Sequence, residues 1–131
     1  MAWEEPKTDW IASDYYNITD FSRMVGNIEV LAELVDKLHH PLSITAISTA
    51  KDYSSFIYAS EFNSIENNLE KVNDYNFNIG KTQSYMVNGK TPNYTEFNRI
   101  ESASLKIHEY LLAERDNCQR LEFTLGGAKK L

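Results

Sequence analysis

The sequence predicts an all-α fold: one small domain over residues 1–131, with three helices, extended connections and a short C-terminal β-strand. Three observations predict it. A six-residue helix start occurs three times, and each copy is followed by apolar residues at a 3.6-residue period. Prolines and glycines fall mostly between those periodic stretches. The chain is 42% hydrophobic and 12% aromatic, enough for one core, while 131 residues are too few for two ordinary domains.

The repeated start reads hydroxyl, acid, Phe, small polar, any residue, large apolar. It occurs as Thr19-Asp20-Phe21-Ser22-Arg23-Met24, as Ser60-Glu61-Phe62-Asn63-Ser64-Ile65 and as Thr95-Glu96-Phe97-Asn98-Arg99-Ile100. The copies lie 41 and 35 residues apart, too uneven for a strict solenoid but suited to three packed helices.

The first helix is predicted over about 18–38. Asn17 stands three residues before Asp20, the spacing of a capping box: the Asn side chain accepts from an orphan amide and the acid returns to the cap amide. Tyr16 and Phe21 are placed to staple that start. The inward stripe is Phe21, Met24, Val25, Ile28, Leu31, Ala32, Val35 and Leu38, and Pro41 ends the helix. The second helix is predicted over about 58–72, with Phe62, Ile65, Leu69 and Val72 inward. Tyr58 occupies its cap position, so the start is expected near Ser54 or Ser55, or at Ser60. The third is predicted over about 94–115, capped by Asn93 with Glu96, with Phe97, Ile100, Leu105, Ile107, Leu111 and Leu112 inward. Phe21, Phe62 and Phe97 are the expected core anchors.

Between the helices, 41–58 reads as an extended crossover. Asn73 to Gly80 reads as a turn, and Asn88-Gly89 marks a second tight turn. Leu121-Glu122-Phe123-Thr124-Leu125 alternates and then meets Gly126-Gly127, so 121–125 is predicted as a strand paired with 83–87 or with a neighbouring subunit.

The formal charge of -6 disfavours nucleic acid, and no apolar run approaches the roughly 20 residues of a membrane span. The opening residues carry acid where a secretion signal needs positive charge, so the chain is expected to be soluble. A lone cysteine, Cys118, gives no disulfide framework, and His39, His40 and His108 form no metal signature. No nucleotide-binding or hydrolytic motif occurs, and no cofactor is expected. Glu66 and Glu101 follow the large apolar residue of their repeats and fall beside the inward stripe. A catalytic pairing of Glu101 with His108 would span about 10 Å along one helix, too far for direct contact. The better reading is that each glutamate meets a tyrosine hydroxyl, an arginine or a free amide where the helix starts converge. An assembly contact is the alternative, shared with Leu121, Phe123 and Leu125.

Lys7-Thr8-Asp9-Trp10, Asp14-Tyr15-Tyr16-Asn17 and Asp20-Phe21-Ser22-Arg23 resemble the opening of small structural proteins of Gram-positive tailed phages and related tail-like particles. The resemblance continues through Glu61–Glu66 and Asn93–Ser102 and ends near Arg120–Gly127. Ser64 departs from the Arg found at 23 and 99, and Val25 departs from Glu66 and Glu101. The resemblance implies a non-enzymatic structural adaptor or assembly subunit of a phage tail or tail-like particle, associated with the baseplate or fibres, made in the bacterial cytoplasm and incorporated into the particle. It implies other tail or baseplate proteins as partners, with self-association as a second expectation. A free protein-binding or regulatory module is the competing function.

Overall fold

The computed structural model describes residues 3–47, 59–73, 77, 85 and 92–129, with side chains in the last helix described as far as Asn117. Three helices occur among them: α1, Ile18–Leu38; α2, Ala59–Val72; and α3, Tyr94–Lys129. Asn17 closes a capping box with Asp20 at the start of α1. At α3, Thr95 N donates to Asn93 Oδ1 at 2.9 Å, and Asn93 N donates to Glu96 Oε2 at 3.2 Å.

The helices begin at one end of the molecule. Phe62 lies edge-on to Phe21, 6.4 Å between centroids, and 6.2 Å from Phe97. From there α1 and α3 run in the same direction: Arg23 meets Glu101 near their starts, and His39 just beyond α1 meets Glu114 further along α3. Residues 41–47, which follow α1, lie against α2, where Thr45 meets Asn68. The core is a continuous cluster of the helix stripes, including Met24, Ile28, Leu31, Val35, Ile65, Leu69, Val72, Ile100, Ile107 and Leu111, closed at the top by Trp10 and Tyr85. Burying side chains such as these stabilises by about 1.5–3 kcal/mol each.

Two expectations are corrected. Residues 121–125 are helical, and no strand occurs among the described residues, so a terminal strand is no part of this all-α fold. The third helix runs to Lys129 and does not stop at 115. The reason is local. No proline or glycine interrupts 94–125, and Glu114, Arg115, Gln119 and Leu121 are good helix formers. Extending an existing helix adds one hydrogen bond per residue fixed, whereas a five-residue strand without a neighbour leaves its backbone groups unpaired. Strand pairing of 121–125 is thereby removed, and the side chains of Leu121, Phe123 and Leu125 lie outside the described residues. So do 48–58, most of the 73–80 turn, Asn88-Gly89 and all of 83–87 except Tyr85.

The Tyr16 ring also makes contacts beyond the start of α1. It stacks on Phe97 across the bundle, with centroids 4.3 Å apart and planes 16° apart, and its hydroxyl reaches Met24 Sδ at 3.2 Å. Burial raises its pKa well above the ordinary tyrosine value.

Candidate functional site

Segments without helix or strand lie along the bundle. Strap 1 covers residues 3–10 and strap 2 residues 41–47, and Phe77 and Tyr85 are two further residues held from outside the helices. An extended residue presents its N–H and C=O on the same side, and inside a sheet a neighbouring strand would pair with both. Here asparagine side chains do so, because a primary amide offers an acceptor and donors together.

Asn27 accepts from Glu4 N at 2.9 Å and donates to Glu4 O at 2.8 Å. Asn68 holds Thr45 in the same way, at 2.9 and 2.8 Å. Asn98 holds Trp10 at 2.8 and 2.9 Å, and Asn63 holds Tyr85 at 2.6 and 2.9 Å. Asn73 makes a local version with Phe77, at 3.0 and 2.8 Å.

The clamps repeat with the sequence. Glu4 precedes Asn27 by 23 residues, and Thr45 precedes Asn68 by the same 23. Asn63 and Asn98 both follow the repeat phenylalanine directly. Each of these two belongs to a socket that also contains the glutamate three residues on. In the first, Trp10 Nε1 donates to Glu101 Oε2 at 2.6 Å. Arg23 grips the same carboxylate through Nε, 2.6 Å from Oε1, and Nη2, 2.9 Å from Oε2. Arg23 Nη1 also lies 3.0 Å from Asp20 Oδ1, which ties the socket to the α1 cap. In the second, the Tyr85 hydroxyl donates to Glu66 Oε2 at 2.6 Å, and Arg99 pairs with that oxygen.

Glu101 is 2% exposed and Glu66 1%, so these carboxylates depend on their partners rather than on water. Burial, then the hydrogen bond to Glu66, raises the Tyr85 hydroxyl pKa, so the ring remains a neutral donor. The hydrogen bonds that Arg23 donates to Glu101 raise the pKa of the guanidinium above its ordinary value.

Links therefore run from repeat one to repeat three, through Arg23 and Glu101, and from repeat three to repeat two, through Arg99 and Glu66. The remaining link would join repeat two to repeat one. There the sequence has Ser64 in place of Arg, Val25 in place of Glu and Ser22 in place of Asn. The departures fall on both sides of the same junction.

Glu66 and Glu101 thus close on groups of their own chain. Glu101 is brought to Trp10 and Arg23, while His108 stacks on Trp3 with centroids 3.7 Å apart. Among the described residues, no three His, Cys, Asp or Glu side chains are grouped as a metal ion would need. No described helix is long and apolar enough to cross a membrane. An open groove of about 540 Å³ lies between α1 and strap 2, over Ala32, Leu42 and Ile44 and rimmed by Glu29, Glu33 and Asp36.

Sequence reasoning missed the clamping asparagines. Their signal is composition against position: Asn is a poor residue for a helix interior, yet Asn27, Asn63, Asn68 and Asn98 all stand inside helices. Comparison with protein-family models, with curated proteins and with solved structures found no match to this chain.

Proposed function

We propose that this chain is a non-catalytic assembly subunit, an adaptor in a phage tail or tail-like particle at the baseplate or fibres. The particle class rests on the resemblance of its repeated starts. The architectural reading rests on one observation: the buried carboxylates of the repeats all act inside the chain. Asp20 and Glu96 close helix caps, and Glu66 and Glu101 hold straps to helices. An acid or base poised for chemistry needs a reacting group within reach, whereas these hold the chain's own rings, arginines and amides.

In this reading the other tail and baseplate proteins are the partners, and the particle is the final location. Co-expression with sheath, hub and fibre proteins, followed by affinity capture and native mass measurement, tests it. Stable capture of a particle component is expected. A chain that ignores every particle component and instead binds a host protein overturns the adaptor reading in favour of a free binding module.

A further inference from the structure

We infer that the open groove between α1 and strap 2 is a docking seat for a segment of a partner protein that presents an aromatic ring beside a lysine or arginine. The inference rests on the assembly function proposed above for the kind of partner, and it names the surface that meets it. The repeats locate that surface. Glu4 is held by Asn27 and Thr45 by Asn68, and Glu4 and Thr45 stand 41 residues apart, as Phe21 and Phe62 do. Strap 1 and strap 2 therefore share one register.

Strap 1 lies between α1 and α3. Asn27 holds Glu4, Asn98 holds Trp10, and His108 stacks on Trp3. Strap 2 lies in the same way between α2 and α1. Asn68 holds Thr45, and Asp36 Oδ1 accepts from Leu42 N at 2.9 Å. In this register Trp3 corresponds to Ile44. His108, eleven residues after Phe97, corresponds to Ala32, eleven after Phe21. Ala32 and Ile44 line one groove. Where strap 1 lays an indole on an imidazole, with centroids 3.7 Å apart, strap 2 sets an aliphatic side chain opposite a methyl group. The groove of about 540 Å³ opens where those rings would stack. The same junction has Ser22, Val25 and Ser64 for the amide, carboxylate and guanidinium of the others, so the chain builds closed junctions and an open one.

The floor sets the shape of the occupant. Ala32, Leu42 and Ile44 are apolar, and the volume falls within the range of about 300–1,000 Å³ typical of ligand pockets. The equivalent place in this chain takes a ring, which carries a large apolar area at a fixed geometry. The rim sets the charge. Glu29, Glu33 and Asp36 line it, with Lys37 as its cation. Asp36 receives Leu42 N, whereas Glu29 and Glu33 enter no ion pair among the described residues. At the closed junction the places of Glu29 and Asp36 hold Leu105 and Leu112, while that of Glu33 keeps an acid, Glu109. Two of the three rim acids thus belong to the open groove. A cation beside the seated ring meets them in charge-assisted bonds and is steered there by the rim.

The test uses the full-length chain with carbon-13 methyl groups, and the end-capped tripeptide Lys-Trp-Lys as probe. The methyl signals of Ala32, Leu42 and Ile44 are expected to move and to saturate at about millimolar peptide. Lys-Ala-Lys and Glu-Trp-Glu are each expected to bind about tenfold more weakly or worse. Signals that stay still, or that respond equally to either control peptide, overturn the inference.

Two variants read the seat itself. Glu29→Gln combined with Glu33→Gln is expected to weaken the Lys-Trp-Lys peptide by about tenfold. Ala32→His combined with Ile44→Trp rebuilds the closed stack and is expected to abolish seating. Circular dichroism establishes that each keeps its helices. If the rebuilt variant does not fold, the glutamine variant decides: unchanged binding without those two carboxylates overturns the inference. Seating of the peptide by a chain that captures no particle component leaves this inference standing and removes the particle reading; capture of a component by a chain that seats no peptide does the reverse.

Discussion

The Trp10 and Tyr85 sockets are built from the same repeat slots, yet they do different structural work. Both use the Asn after the repeat phenylalanine to grip a strap backbone and the Glu three residues later to receive a ring donor. The Trp10 socket joins segments 91 residues apart, the Tyr85 socket segments 19 apart. Its arginine grips the carboxylate through two nitrogens and also reaches the Asp20 of a helix cap. Closing a longer loop costs more chain entropy, and the Trp10 socket has the larger set of charge-assisted bonds against that cost. The comparison teaches that one sequence device serves a local fastening and the closure of the whole bundle.

The strongest way to break the comparison is Glu101→Ala. It leaves Arg23 and the Trp10 indole without their carboxylate, an expected loss of about 3–5 kcal/mol in urea unfolding. Glu66→Ala measured alongside shows whether the long-range socket matters more; equal losses would remove the distinction drawn above.

Asn98→Ala removes the clamp and leaves the ring seated, with an expected cost of about 1–3 kcal/mol. Hydrogen exchange at the Trp10 amide reads the same event, because Asn98 is the acceptor for that N–H. Unchanged protection at Trp10 would mean that the ring alone holds the strap.

Asn17→Ala acts one step away from the socket, through the cap that also orients Asp20. A loss of about 1 kcal/mol is expected for the cap alone. A double-mutant cycle with Arg23→Ala sharpens the point: additive losses would separate the cap from the socket, while a coupling energy would join them.

The smallest expected effect is at His108. Burial, then Arg115, lowers its pKa below the ordinary histidine value. A base with a lowered folded pKa contributes stability above its unfolded value, about 6.5, and loses that contribution as pH falls through the folded value. His108→Gln should therefore flatten the acid side of the stability profile slightly. An identical profile would show that the Trp3 stack is indifferent to the proton.

The helices were legible because their signals are local. Asn17 with Asp20 and Asn93 with Glu96 are readable three residues apart, and the apolar stripes of α1 and α2 need only a helical period. The end of α3 was not legible from the alternation at 121–125. Five residues satisfy a period of two easily, whereas the preceding twenty hold no proline or glycine and are helical throughout.

Glu66 and Glu101 announced themselves as acids beside an apolar stripe, which required a partner. The sequence by itself determined three amphipathic helices, two of them with legible caps, and two carboxylates in need of donors. Only the tertiary structure decided which donors those were. Trp10 and Glu101 are 91 residues apart, and no local period relates them. Their meeting is fixed by Asn98, whose two-sided amide holds the Trp10 backbone against α3 in place of the neighbouring strand that an extended chain would otherwise need.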